Sequence, residues 1–203
     1  MVWEMIIDRD DYYIRDLEEK DRLQLLNWKD YEDPLLYGYN YSDMTEDELY
    51  YWYNTKQFPF RARYFSVFNH DDVMIAYLGM KEINRFTKSS KLGIVINSQY
   101  TSKGYGTRIL GDFLDYYFNH LDMRRMILEV NAWNERAIKL YESFGFIYYN
   151  ERYDRFENQS IDLDETRYDK VRDCFEERST GIYNRILKMS LTRAEYERGK
   201  DEN

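Results

Sequence analysis

The stretch from Ile94 to Phe146 constrains the fold more than any other part of the chain, because two strand-like runs in it each lead into the start of an amphipathic helix. Leu92 to Ile96 (LGIVI) is short, apolar and partly β-branched, which suits a buried strand better than a helix of that length. The loop Ser102-Lys103-Gly104-Tyr105-Gly106-Thr107 follows. Beyond it Ile109, Leu110, Phe113, Leu114, Tyr117, Phe118 and Leu121 recur at helical spacing and form one apolar stripe. A glycine-punctuated loop at a helix N-terminus can turn its amides inward as an anion nest, where the helix dipole also favours a phosphate. Lys103 and Arg108 add positive charge there, in a chain of net charge −9. A tight turn explains the same glycines without any ligand. The loop is neither a P-loop nor a dinucleotide fingerprint, since no Gly-Lys-Ser/Thr follows and no third glycine completes the spacing.

The second run, Arg125 to Val130, reads as a strand, and Asn134 is a good N-cap for a helix from about Glu135 to Phe144. Trp133 and Ile138 stand at the staple positions around that cap, and Gly145 at a left-handed C-cap. Ala137, Ile138, Tyr141 and Phe144 share one face, and of these only Tyr141 has a proton to give. Tyr141 is equally readable as an amphipathic core residue.

The two elements, in this order and spacing, resemble the GNAT superfamily of acetyl-CoA-dependent N-acetyltransferases. Leu128 to Phe146 (LEVNAWNERAIKLYESFGF) is most similar to ribosomal-protein alanine N-acetyltransferases and other protein or small-amine members. The resemblance implies a mixed α/β fold, with a mostly antiparallel central sheet flanked by helices, and acetyl-CoA as cofactor without a metal. The family's phosphate loop follows Q/R-x-x-G-x-G/A and holds the coenzyme A pyrophosphate on backbone amides. Gly104 and Gly106 match it, while Thr101 replaces Gln or Arg and Ser102 replaces a frequent glycine. That departure bears on side-chain contacts and leaves the amide nest. The implied cofactor contacts are therefore Thr101, Ser102, Lys103, Gly104, Tyr105, Gly106 and Thr107. Amides of Ile94, Val95 and Ile96 would face the thioester carbonyl, and Asn134 would touch the pantetheine arm. Tyr141 would protonate the leaving thiolate. Glu129 falls where some relatives place a carboxylate that deprotonates the amine through water, or it is a solvent-facing strand residue. A thioester is already activated, so a neutral amine can attack directly. A non-catalytic acyl-CoA-binding or interaction module on the same fold is the alternative, and an unrelated α/β protein with coincidental motifs a third.

The rest fits one domain over residues 1–203, with no Pro/Gly/Ser linker. Asp11 to Arg15 suggests a first strand and Glu18 to Trp28 a helix carrying Leu23, Leu25, Leu26 and Trp28. Thr45 and Glu48 have capping-box spacing ahead of Leu49, Tyr50, Trp52 and Tyr53. Arg63 to Phe68 and Val73 to Ile83 flank the turn Asn69-His70-Asp71-Asp72, as in a hairpin. Residues 151–180 read as a charged insertion, pocket-shaping or merely solvated, before a last strand over 182–192.

Hydrophobic residues at 43% supply a core, and no apolar run reaches the length of a membrane span. The acidic opening, Met1 to Asp10, is no signal peptide, and a single cysteine, Cys174, excludes an intrachain disulfide; both point to the cytoplasm. His70 and His120 do not assemble a metal site or a Cys–His pair. With 38 acidic against 29 basic residues, nucleic acid and membrane are not expected partners. The 22 tyrosines show no repeat and reflect general usage. Asp30, Glu32, Asp33, Asp43, Glu46, Asp47 and Glu48 interleave with Tyr31, Tyr37, Tyr39 and Tyr41 where relatives build the acceptor wall. A cationic primary amine is the expected acceptor, a polyamine-like molecule or a basic protein N-terminus, with a homodimer as the assembly.

Overall fold

A computed structural model describes residues 7–58 and 60–201, so Met1–Ile6 of the opening segment lies outside the described residues. The chain forms two compact units, Met1–Tyr31 with Tyr39–Met126, and Glu32–Gly38 with Ile127–Asn203.

In the first unit β1 (Ile7–Asp8), β2 (Tyr13–Asp16), β3 (Ala62–Phe68), β4 (Met74–Asn84) and β5 (Ser89–Ile96) are successive antiparallel neighbours. The expected hairpin is β3–β4. Its turn is built by Asn69, whose Oδ1 accepts from the amides of Asp71 and Val73 at 3.1 and 2.9 Å, while Asp72 takes a positive φ of 59°. Two glycines in this sheet answer to one ring. Gly79 pairs with Tyr64 and with Gly93. A Cβ on Gly79 would lie 2.8 Å from Tyr64 Cγ, and one on Gly93 2.2 Å from the Tyr64 hydroxyl. Tyr64 therefore lies flat across two strands.

α1 (Glu46–Lys56) starts at the Thr45/Glu48 capping box and buries Leu49 and Trp52. The expected helix over 18–28 is instead a 3-10 helix at Glu19–Asn27. Its period of three explains the burial: Leu25 and Trp28 share the inward ridge, and Leu23 and Leu26 share an outward one, at 40% and 36% exposed. Trp28, Tyr41, Trp52, Tyr64 and Tyr77 pack in one cluster, so these aromatics are core rather than a stacking surface. α2 (Tyr105–Asp115) continues as a π-turn at Tyr116–His120. Ile109, Leu110, Phe113, Leu114, Tyr117 and Phe118 of the expected stripe are fully buried, at about 1.5–3 kcal/mol for each large side chain.

The chain passes into the second unit along β6 (Arg125–Asn131), where Met126, Leu128 and Val130 alternate inward. α3 (Glu135–Ser143), β7 (Ile147–Arg155), β8 (Phe175–Arg178), β9 (Gly181–Thr192) and α4 (Arg193–Asp201) follow. β9 pairs antiparallel with β7 from Ser190 to Tyr183, and with β8 from Asn184 to Gly181. β9 stands where the last strand is expected, over 182–192, and α4 continues the chain beyond it. The inserted segment is not a solvated flap. Residues 151–155 extend β7, and Phe156, Ile161, Leu163, Tyr168, Cys174 and Phe175 form a satellite core with Trp133 and Leu35. Its apolar residues are spaced irregularly among charges, so no periodicity announces them. The expected mixed α/β class, mostly antiparallel, is the one observed. Among the described residues no helix is long and apolar enough to cross a membrane.

Candidate functional site

The sequence-predicted residues fall on two strand–helix pairs, β5 with the start of α2 and β6 with α3. In the first unit, β5 delivers Ile94, Val95 and Ile96 opposite Leu78, Tyr77 and Ala76. The amide of Asn97 donates to the Ile75 carbonyl at 2.8 Å, so antiparallel alternation commits Val95 to β4 and turns the amides of Ile94 and Ile96 away from it. Val95 is therefore the member of the trio whose amide faces β4. The outward carbonyl of Ile96 accepts from the Tyr31 hydroxyl, and the Ser98 hydroxyl donates to the Lys29 carbonyl. Buried Asn97 caps the turn at Ser98–Tyr100 through the Gln99 amide, 3.1 Å away. These anchors fix the strand-to-loop junction, and only the tertiary fold reveals them.

After that junction Thr101 turns its hydroxyl back to the Ser98 carbonyl at 2.9 Å. Ser102 and Gly104 both adopt positive φ, 60° and 82°. Positive φ at alternate positions is how a backbone gathers its amides into a nest. Gly104 is the N-cap of α2 and supplies no side-chain cap, and among the described residues nothing beyond its chain neighbours and the helix's own backbone lies within 4 Å of where its Cβ would be. The helix start is thus open on the Gly104 side and bordered by the amides of Tyr105, Gly106 and Thr107, which no Gly104 side chain caps, a cradle that fits a pyrophosphate. Lys103 lies over the Tyr100 ring at 5.2 Å. Arg108, expected to add positive charge, is neutralised by a bidentate pair with Asp11 at 2.7 Å for each bond. That pair, and the Arg9 and Tyr12 bonds to Asp112, fasten α2 to the strand region.

In the second unit Asn134 caps α3 through its own side chain, Oδ1 accepting from the Ala137 amide at 3.1 Å. The other end of α3 is a Schellman turn. Phe146 N–H donates to the Tyr141 carbonyl at 3.1 Å and Gly145 N–H to the Glu142 carbonyl at 2.9 Å, with Gly145 at φ 87°. Tyr141 meets Phe146 edge to face at 5.8 Å and is 8% exposed. The turn that ends the helix therefore also fixes the Tyr141 ring.

Glu129 sits on the β6 face with Ile127 and Asn131 and is held by two cations. Arg152 pairs with it and with Asp154, and Lys188 Nζ is 3.9 Å away. Of the expected acceptor wall, Asp33 caps the turn at Leu35, Glu48 completes the α1 capping box, and Asp30 accepts from Ser42 at 2.7 Å. Tyr41 is buried against the Tyr77 hydroxyl, while Tyr37 is exposed. Among the described residues no three His, Cys, Asp or Glu side chains gather as a metal site.

A family model for the acetyltransferase (GNAT) domain matches residues 12–147. Spermidine N(1)-acetyltransferase of Vibrio cholerae is 28% identical over 134 residues, covering 66% of this chain and 78% of that protein. The Escherichia coli K12 spermidine N(1)-acetyltransferase is 35% identical over 65 residues, 32% of this chain and 35% of its own length. Among solved structures, the V. cholerae spermidine N-acetyltransferase in complex with CoA and spermine has a TM-score of 0.69 at 23% identity, over 93% of this chain and 99% of that one. The finer likeness to ribosomal-protein alanine N-acetyltransferases has no counterpart among these relatives.

Proposed function

The chain is an N-acetyltransferase of the GNAT family, and from that premise we propose that its acceptor is a polyamine-like cation, acetylated at a primary amine by direct attack. The observation that carries the acceptor is the match to a spermidine N(1)-acetyltransferase across 78% of that relative. The acidic balance of the chain supports it, since a negative field draws a polycation.

Acetyl-CoA brings an activated thioester, so this chain's residues have only to bind, orient and move protons. The amides from Ser102 to Thr107 would hold the pyrophosphate, with Lys103 as the nearby free-standing cation; Thr101 would shape the loop rather than touch the ligand. The outward amides of Ile94 and Ile96 would orient the thioester carbonyl. An oxyanion donor of this type lowers the barrier by about 3 kcal/mol. Asn134 has its Oδ1 in the α3 cap, which leaves its Nδ2 to meet the pantetheine arm. Tyr141, with its ring fixed by Phe146, would give its hydroxyl proton to the departing sulfur. Glu129, held by Arg152 and Lys188, would support this frame instead of taking the amine's proton.

Two measurements test the proposal. Coenzyme A should raise the thermal midpoint of the protein, and dephosphorylated pantetheine much less, because ligand binding to the native state stabilises by mass action. Thiol release should then be scored with spermidine, aminoglycosides, amino acids and peptide N-termini. Spermidine should give the highest kcat/KM, with a KM that rises several-fold between about 50 and 300 mM salt. A neutral or anionic amine as best acceptor, indifferent to salt, overturns the polyamine reading and leaves the family assignment in place.

A further inference from the structure

The edge of β5 that faces away from β4 carries both kinds of polar group. In an antiparallel strand the N–H and the C=O of one residue point the same way, so Ile94 and Ile96 each turn a donor and an acceptor outward. The two act oppositely on a thioester. The donors suit the negative charge that gathers on its oxygen, and a bare carbonyl on the same edge repels that charge. At Ile96 the carbonyl is not bare, because the Tyr31 hydroxyl donates to it.

Tyr31 is itself held. Its amide donates to Asn40 Oδ1 at 2.8 Å, and its ring meets that of Tyr39 edge-on with centroids 6.4 Å apart. Two residues earlier the Lys29 carbonyl takes the Ser98 hydroxyl, so the segment 29–31 braces the end of β5 on both sides of Asn97. The peptide unit joining Ile96 to Asn97 is thereby gripped at both ends, its N–H by the Ile75 carbonyl at 2.8 Å and its C=O by Tyr31. The preceding unit, which carries the Ile96 N–H, has its carbonyl on Val95, the residue that faces β4. Ile96 is the joint between these two units. With both held, its backbone torsions are set, and so is the aim of its N–H.

We propose that Tyr31 is a positioning residue for the acyl-transfer step: through the Ile96 carbonyl it aims the Ile96 amide at the thioester oxygen and screens the site from the negative end of that carbonyl. The role depends on the outward β5 amides orienting the thioester carbonyl, as proposed above, and on no particular acceptor. It asks for no proton transfer by the tyrosine, whose hydroxyl hydrogen stays on the Ile96 carbonyl throughout. Tyr31, expected from the sequence to line an acceptor wall with its ring, thus acts through its hydroxyl on the acyl side.

Tyr31→Phe removes the donor and keeps the ring against Tyr39. Tyr13→Phe is the matched control, since it deletes a tyrosine hydroxyl bond of the same kind, to Asp72 at 2.7 Å in the β3–β4 turn. The first readout needs no acceptor. In protein isotopically labelled at the isoleucine nitrogens, the amide resonances of Ile94 and Ile96 are compared between the complexes with acetyl-CoA and with coenzyme A, which differ by the acetyl group alone. Both resonances should differ in the wild type, because one complex contains the thioester carbonyl and the other does not. In Tyr31→Phe the difference at Ile96 should be largely lost and that at Ile94 kept.

The second readout is turnover with the best of the amines scored for thiol release. In Tyr31→Phe kcat should fall roughly tenfold, less than the 10²- to 10³-fold that losing an oxyanion donor outright costs. The KM for acetyl-CoA and the thermal shift given by coenzyme A should hold, since the start of α2 is untouched. Tyr13→Phe should match the wild type in both readouts. With a wild-type difference at Ile96 present, its survival in Tyr31→Phe, or a kcat that falls no further than in Tyr13→Phe, overturns the proposal and leaves the amide reading standing. No difference at Ile96 in the wild type overturns both.

Discussion

The starts of α2 and α3 solve the same problem in opposite ways. Each leaves its first amides without intrahelical partners. At α3 the chain satisfies them itself: Asn134 Oδ1 takes the Ala137 amide, and Trp133 packs beneath. At α2 the cap is a left-handed glycine with no side chain, beside open space. A helix that caps itself is complete without a ligand; one that begins on Gly104 is complete only when something else accepts those bonds. The difference separates an element that closes on itself from one left open to a ligand.

Four substitutions can break or sharpen that contrast. Gly104→Val has the largest expected effect. A β-branched residue at φ 82° is strained by about 1–2 kcal/mol and fills the open side of the nest, so coenzyme A should lose its thermal shift while the protein still melts cooperatively. A retained shift would show that α2 is not the binding element. Tyr141→Phe keeps the ring against Phe146 and removes the hydroxyl. Turnover should fall about 10²-fold with coenzyme A affinity unchanged; unaltered turnover returns Tyr141 to the core. Asn134→Ala should cost about 1 kcal/mol of stability through the lost cap, read by chemical denaturation, the reverse of the Gly104→Val pattern. Glu129→Gln should have the smallest effect. Arg152 keeps Asp154, so the loss should be about 1 kcal/mol or less and activity should drop by the same factor at every pH. A deficit concentrated near neutral pH would instead make Glu129 the base.

Local features were legible in the sequence. The Thr45 capping box, the Asn134 cap, the Gly145 turn and the α2 stripe depend on residues within a few positions of one another, and all stand as expected. What failed was period and distance. Leu23, Leu25, Leu26 and Trp28 suit an α-helix or a 3-10 helix until their burial is known. Arg108 looked available because Asp11, its partner, lies 97 positions away. The cations around Glu129 were out of view for the same reason, coming from β7 and β9.

Tyr64, stretched over Gly79 and Gly93, also governs how the sheet can assemble. A one-residue slip between strands turns every side chain to the wrong face and is strongly disfavoured. A two-residue slip preserves the faces and is the more dangerous error during folding. Moving β5 by two would bring Lys91 or Val95 beneath the ring in place of Gly93, and any Cβ there meets the tyrosine hydroxyl well inside contact distance. The ring therefore works as a key cut for one alignment. It rejects the mispaired sheet before Ile94 and Ile96 could be set, two residues out of place, at the head of the loop.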